Sequence, residues 1–236
     1  MPYIARGSAH GFLAPEMLRD EKGGLMHTGR YWDNENREHT SGDGPGHRAY
    51  SAVPFDHDGD GDLDLLVGTD RGGVYVRTNV GTRTKHAFST SLTPLPGKTR
   101  TGGAPMFPSG YAMPVPVDWD GDGDHDLVSG GKEGGVWWIQ NVGTATAPSY
   151  TDAVVVLHAK ETRGAGLGKR TQVEVADFDA DGDLDLLVGD YERTGSGNKA
   201  VRRANIWLYR RKGAPQGGAV NASAPVGGRG DSGAGR

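Results

Sequence analysis

The sequence contains no cysteine and no long apolar segment, and each absence narrows the class of protein. Without cysteine the chain has no disulfide and no thiol chemistry, although its compartment stays open. No window holds 18 consecutive apolar residues, so no transmembrane helix is predicted. Residues 1–10 lack a basic segment followed by an apolar one, so no signal peptide is predicted in this chain.

Glycine, by contrast, is abundant, with 40 glycines among 236 residues. They follow no strict triplet period, which excludes a collagen-like chain. Short β-branched and aromatic runs are bounded by glycine and asparagine, a pattern typical of strands joined by tight turns. No helix of ten or more residues is predicted, so the sequence indicates an all-β protein.

Acidic residues are concentrated in three windows, residues 56–64, 118–126 and 177–185, each of which holds five aspartates. These account for 15 of the 30 acidic residues. The rest of the chain contains the other 15 acidic residues and 26 basic residues, so it carries a net positive charge. Like charges at this density repel strongly unless cations neutralise them. Three bound Ca²⁺ ions would change the formal net charge from −4 to +2.

The three windows mark an internal repeat, because each lies in the same succession of predicted strands. The first strands are residues 51–55, 113–117 and 172–176, the second are 65–68, 127–130 and 186–189, and the third are 74–77, 136–139 and 206–209. A fourth strand is predicted near residues 87–91 and 149–157. Four strands per unit of about 60 residues is the composition of a propeller blade.

The aspartate spacing predicts a calcium site in each window, since Ca²⁺ prefers six to eight oxygen ligands. By analogy with known oxygen-ligand loops, positions 1, 3, 5 and 9 donate side chains and position 7 donates its backbone carbonyl. The predicted side-chain ligands are Asp56, Asp58, Asp60 and Asp64, then Asp118, Asp120, Asp122 and Asp126, then Asp177, Asp179, Asp181 and Asp185, with carbonyls from Asp62, Asp124 and Asp183. Zinc and copper are disfavoured because no cysteine or histidine cluster accompanies the aspartates. Magnesium demands stricter octahedral geometry.

The succession Asp-x-Asp-Gly-Asp-Gly-Asp-Leu-Asp-Leu-Leu-Val-Gly resembles the FG-GAP/VCBS repeat family, found in integrin α-subunit propellers and in secreted bacterial proteins. The resemblance covers residues 45–211. It implies a β-propeller with one Ca²⁺ per loop, in the hairpin between the first two strands of a blade. It also implies an extracellular, periplasmic or cell-surface location. His125 and Ala180 depart from the pattern, and neither replaces a ligand.

The predicted fold is therefore an all-β propeller of four-stranded blades, with three complete repeats and part of a fourth. Residues 1–44 are the end of an incomplete blade plus a long loop, residues 45–102, 103–160 and 161–212 are blades, and residues 213–236 are a disordered tail. A propeller must close. Three repeats of this size leave two faces open, so three arrangements are considered. The chain is a fragment of a longer gene product, or its copies assemble into a closed ring, or it forms an open arc that is stabilised by calcium.

The sequence predicts a non-catalytic module that binds a protein or a glycan. No catalytic residue is assigned. The alternative is the propeller portion of a calcium-dependent polysaccharide lyase or a similar carbohydrate-active enzyme. Nucleic-acid binding is disfavoured because the basic residues form no cluster with interleaved aromatics. The segment 27–47, with Tyr31 and Trp32, fits either a ligand-contacting loop or, as we favour, an insertion that packs on its own scaffold.

Overall fold

The computed structural model describes the strands and connections that carry the three Asp loops. The described residues are 3–4, 7–8, 11–12, 16–24, 26, 30–33, 38–41, 48–159, 168–194 and 201–212. Within these ranges the chain forms strands, bridges and turns and no helix, which confirms the all-β prediction and leaves no membrane-spanning helix there. The tail predicted for residues 213–236 and most of the segment 27–47 lie outside these ranges.

The strands are short and follow one another as antiparallel hairpins. They are β1 (Tyr3–Ile4), β2 (Gly7–Ser8), β3 (Gly11–Phe12), β4 (Glu16–Met17), β5 (Arg30–Asp33), β6 (Glu38–Ser41), β7 (Ala49–Phe55), β8 (Asp64–Thr69), β9 (Val74–Arg77), β10 (Thr93–Pro94), β11 (Val115–Val117), β12 (Asp126–Ser129), β13 (Val136–Ile139), β14 (Val154–Leu157), β15 (Lys169–Ala176), β16 (Asp185–Thr194) and β17 (Val201–Tyr209).

Three larger sheets follow the predicted repeat. The first has the order β7-β8-β9-β10, the second β11-β12-β13-β14 and the third β15-β16-β17, all antiparallel. The first two match a four-stranded blade, whereas the third has three strands among the described residues. Its last hairpin is longer than predicted, because pairing continues from Leu186–Tyr209 out to Thr194–Val201.

The fourth strand of the first sheet is a correction to the sequence prediction. It lies at Thr93–Pro94 and not at residues 87–91. The cause is Asn79, whose side-chain oxygen accepts hydrogen bonds from the backbone N–H groups of Gly81 and Ala87. This turn leaves Phe88 with isolated bridges only, and regular pairing resumes five residues later.

The hydrophobic core lies between the sheets rather than within one of them. Leu66 and Val74 of the first sheet pack with Leu127 and Ile139 of the second. The opposite side of the second sheet packs on the third through a separate cluster, which includes Val128. The second strands of the first two sheets, β8 and β12, are thus buried on both faces, and their apolar residues run without interruption.

The backbone of each sheet also touches the next sheet directly. A Cβ atom at Gly68 would overlap the carbonyl oxygen of Ala112, and one at Gly130 would overlap that of Thr171. Gly68 is the last but one residue of β8, and Gly130 directly follows β12. Both contacts fall where the chain enters the following sheet. Any side chain there would force the sheets apart.

The N-terminal strands repeat the pairing seen at the outer side of the first sheet. Strand β1 pairs with β4, as β9 pairs with β10. The N–H of Glu21 then bonds to the carbonyl of Phe88, as that of Lys98 bonds to Tyr150. This pattern is the one expected for the end of an earlier unit, although the predicted domain boundaries stay a prediction.

Candidate metal centre

Each Asp loop connects the first two strands of its sheet and ends on the first residue of the second strand. The loops therefore occupy equivalent places between β7 and β8, between β11 and β12, and between β15 and β16. Their fourth and sixth residues have left-handed backbones. These are Gly59, Gly61, Gly121, Gly123 and Gly182, and, in place of glycine, Ala180.

The first aspartate of each loop organises the turn by accepting backbone hydrogen bonds. Asp56 accepts the N–H groups of Gly59 at 2.8 Å and Gly61 at 3.1 Å. Asp118 makes the equivalent bonds, also at 2.8 and 3.1 Å. In the third loop Asp177 accepts from Asp181 and Gly182. These bonds wrap the backbone around the carboxylate, which is why the spacing recurs.

The last aspartate of each loop is buried and fixed by the end of the third strand. Asp64 accepts the N–H of Asn79 at 2.7 Å, and Asp126 accepts that of Asn141 at the same distance. In the third sheet the donor to Asp185 is the backbone of Arg211, at 2.9 Å. Each loop is therefore locked to a residue about 15 or more positions further along the chain.

In each loop the structure brings three carboxylates together. In every group one oxygen from each residue lies within 4.8 Å of the others, a geometry that could hold a metal ion. The groups are Asp56, Asp58 and Asp64, then Asp118, Asp120 and Asp122, then Asp177, Asp179 and Asp185. Asp60, Asp126 and Asp181 stand outside these groups, so the full ligand set stays a prediction.

The seventh residue of the loop shows a feature that the sequence does not reveal. The side chains of Asp62 and Asp124 are each only 7% exposed, and one oxygen of each has no hydrogen-bond partner. One oxygen of Asp120 and one of Asp126 are likewise buried and accept no hydrogen bond of normal geometry, although the indole N–H of Trp138 is close enough to Asp126 to lower its pKa. Buried carboxylate oxygens are normally paired, so these four fit a cation held at the loops.

The electrostatics of the second loop support the same reading. Burial raises the pKa of Asp126 to about 7, and the charges of Asp120 and Asp124 add to the rise, while the N–H of Asn141 opposes it. Burial and neighbouring aspartates also raise the pKa of Asp124. Without a cation the charged forms are therefore unfavourable, and a divalent ion would reverse that balance.

The second residue of the first loop and that of the second loop each contact the following sheet, which sequence reasoning missed. His57 stacks on Tyr150 of the second sheet at 6.4 Å between ring centroids. Trp119 lies under the guanidinium of Arg211, whose Cζ is 4.7 Å from the ring centroid and whose Nη1 donates to the Trp119 carbonyl. Phe178, the equivalent residue of the third loop, is 59% exposed.

Comparison with known families identifies one stretch of the chain. Residues 118–188 match the family model described as an FG-GAP-like repeat. The stretch runs from the second Asp loop to the second strand of the third sheet, and it confirms the resemblance seen in the aspartate pattern. Searches of curated proteins and of solved structures found no match.

Proposed function

Because this chain carries an FG-GAP-like repeat, we propose that it is a non-catalytic binding module of the β-propeller type, fastened by calcium. One Ca²⁺ is held by each of the three Asp loops. The observation that carries the proposal is the grouping of three carboxylates in every loop, accompanied in the first two loops by buried carboxylate oxygens that accept no hydrogen bond.

The donor chemistry favours calcium among the common metal ions. The three groups contain aspartate alone, and hard oxygen ligands select Ca²⁺ or Mg²⁺ over zinc and copper. Calcium accepts irregular geometry and high coordination numbers, so carbonyls such as that of Asp62 can complete the site. Mg²⁺ would demand octahedral ligands at shorter distances.

The role of the ion is structural, since the loops lie at the junctions of the sheets. Asp64 joins the first loop to the end of the third strand, and His57 joins it to the next sheet. Neutralising the aspartates would strengthen both junctions. The opposite face of the stack is then free to contact a protein or a glycan. An extracellular, periplasmic or cell-surface location, where calcium is plentiful, suits such a module.

Isothermal titration with calcium tests the proposal. The wild-type chain is expected to bind three ions, and Asp120→Ala is expected to bind two, because Asp120 belongs to the second carboxylate group. The matched control is Asp152→Ala, which removes an exposed aspartate that pairs with Arg100 outside the loops. Unchanged stoichiometry in Asp120→Ala, or a wild-type chain that binds no calcium, would contradict the calcium assignment.

The proposal includes a surface for self-assembly on the third sheet. Leu187 follows the third Asp loop at the position of Leu66 and Val128, which are fully buried against the next sheet. Among the described residues no sheet covers Leu187. Since the two internal junctions use this same face, the occupant that fits it is a sheet of the same kind, supplied by a second copy of the chain.

A further inference from the structure

Two bulky residues take a backbone conformation that normally favours glycine. Tyr111 has φ of 52° and Arg170 has φ of 54°. An L side chain in this region costs roughly 1–2 kcal/mol relative to a right-handed backbone. Most of the other left-handed positions among the described residues are occupied by glycine, so this chain readily uses glycine where the backbone requires it.

The two residues are structurally equivalent. Tyr111 donates its N–H to the carbonyl of Asp70, and Arg170 donates to that of Lys132. In both cases the next residue bonds to the same hairpin of the preceding sheet. The crossover between sheets therefore imposes the left-handed backbone twice. A costly side chain kept at both crossovers points to a use for the side chains themselves.

These side chains belong to a set that we call the aromatic–cation row, formed by Tyr50, Tyr111, Lys132, Arg170 and Tyr191. It consists of two contact groups that are joined by the backbone hydrogen bond from Arg170 to Lys132. Tyr50 and Tyr111 stack with centroids 4.3 Å apart and ring planes at 14°. The Nζ of Lys132 lies 5.5 Å from the centroid of Tyr111. The guanidinium of Arg170 lies 5.8 Å from that of Tyr191. Tyr50 is 46% exposed, so its ring is accessible.

The second crossover carries excess positive charge. The cations at this crossover are Lys132, Lys169 and Arg170. In the part of the chain that the structure describes, they form ion pairs with one carboxylate, that of Glu133, which lies 2.7 Å from the Nζ of Lys169 and 3.8 Å from that of Lys132. The lysines hold the pKa of Glu133 below its usual range. At least one cation is thus left to meet an anionic group. The row is distant from the Asp loops. Strand β7 contains Tyr50 of the row near its start and extends about 20 Å before it reaches the first Asp loop.

We propose that the aromatic–cation row binds acidic saccharides. A sugar ring presents C–H groups that pack on an exposed aromatic face, and its carboxylate accepts charge-assisted hydrogen bonds from lysine or arginine. The surface suits a protein partner less well than a saccharide. It combines one well-exposed aromatic ring with charged groups, and it lacks the apolar centre that is typical of protein interfaces. The inference rests on the proposed function, since stacked sheets are what align the row.

Saccharide titration by calorimetry in calcium tests the assignment. The probes are a hyaluronan hexasaccharide, which carries uronic acids, and a chitin hexasaccharide, which is neutral. The acidic probe is expected to bind at least about tenfold more tightly, a difference of about 1.4 kcal/mol. Equal affinity for the two probes, or no saturable binding of the acidic one, would overturn the proposal.

Two variants locate the site. Tyr111→Gly removes the ring and relieves the left-handed backbone, so binding is expected to fall at least tenfold while the melting temperature stays level or rises. Lys132→Gln is expected to weaken binding and reduce its salt dependence. Lys85→Gln, an exposed lysine in a distant turn, is the control that should bind normally. Undiminished binding by Tyr111→Gly would refute this location.

The calcium titration separates the two hypotheses. If Tyr111→Gly still binds three calcium ions yet loses the acidic probe, both proposals are supported. If the wild-type chain binds three ions and neither probe, the saccharide proposal alone fails. If the wild-type chain binds no calcium, the proposed function fails on its own measurement, whatever the saccharide result.

Discussion

The fourth position of the Asp loop requires a left-handed backbone whichever residue occupies it. Gly59 and Gly121 occupy it in the first two loops, with φ of 75° and 81°. The third loop places Ala180 there, with φ of 61°. In the sequence this alanine is only a departure that spares the ligands. In the structure it holds a strained conformation in a loop that we propose wraps an ion.

Ala180→Gly is therefore expected to stabilise the third hairpin. The gain is about 0.5–1 kcal/mol, because relief of the left-handed strain exceeds the extra freedom of glycine in the unfolded chain. Urea unfolding in the presence of a chelator would measure it. The reverse change, Gly121→Ala, serves as the matched control and should destabilise. A lower unfolding midpoint for Ala180→Gly would contradict the strain argument.

The aspartate spacing predicts which residues line each loop, and the structure groups nine of them as triads. It could not predict the burial of Asp62 and Asp124. Their exposure depends on how the loop packs against side chains remote in sequence, such as that of Asn141. The alternation of aspartate and other residues within one loop carries no information about contacts with other segments. The buried, unpaired oxygens of Asp62 and Asp124 therefore become visible only in the folded structure.

At the scale of elements, an asparagine turn after the third strand connects each of the first two sheets to its Asp loop. The side-chain oxygen of Asn141 accepts the N–H groups of Gly143 and Ser149, while its own N–H donates to Asp126. The sequence predicts a turn at Asn-Val-Gly. It does not show that the turn also positions a loop carboxylate, because that pairing spans 15 residues.

Asn141→Ala is expected to destabilise the chain by about 2 kcal/mol, since two partly buried N–H groups lose their acceptor. It should also weaken calcium binding at the second loop, as the support of Asp126 loosens. Thermal unfolding with and without calcium would measure both effects. Val142→Ala, which changes an exposed residue of the same turn, should leave both unchanged. Wild-type stability in Asn141→Ala would show that the turn does not depend on the side chain.

The junction of the second and third sheets depends on Arg211 and Trp119, which pair through a cation–π contact and a hydrogen bond. A double-mutant cycle with Arg211→Ala and Trp119→Leu should give a coupling energy of about 1 kcal/mol, measured by urea unfolding. Lys212→Ala provides the neighbouring control, with no coupling to Trp119. Strictly additive losses would mean that the pair does not join the sheets.

At the scale of the whole molecule, equivalent positions pass from buried to exposed along the stack. Val74 is 1% exposed in the first sheet and Val136 0% in the second, whereas Ile206, at the same register of the third, is 79% exposed. The repeat could be predicted from sequence, because each unit carries its own pattern. The partner of this last face could not be predicted, since it depends on a surface outside the pattern of any one unit.

Self-association through this face has a direct test. The wild-type chain in calcium is expected to form dimers or larger rings as its concentration rises, observed by chromatography with light scattering. Ile206→Lys should remain monomeric with unchanged thermal stability, because an exposed apolar residue contributes to docking and little to folding. Val80→Lys, which alters an exposed residue in a turn, is the control. A wild-type chain that stays monomeric at every concentration would refute a second copy as the occupant.

Three equivalent glycines, four residues after the last aspartate of each loop, allow the docking of a further sheet to be detected by mutation. At Gly68 and Gly130 the main chain of the next sheet leaves no room for a methyl group, so main-chain contact sets the sheet spacing. Gly189 is the third of the series, and the nearest atom to its added Cβ would be the Gln172 carbonyl oxygen, 4.0 Å away. Gly189→Ala should therefore be silent in an isolated chain and harmful only once another sheet arrives. The exposed third sheet thus already has, at Gly189, the small residue that close main-chain contact with one more sheet requires.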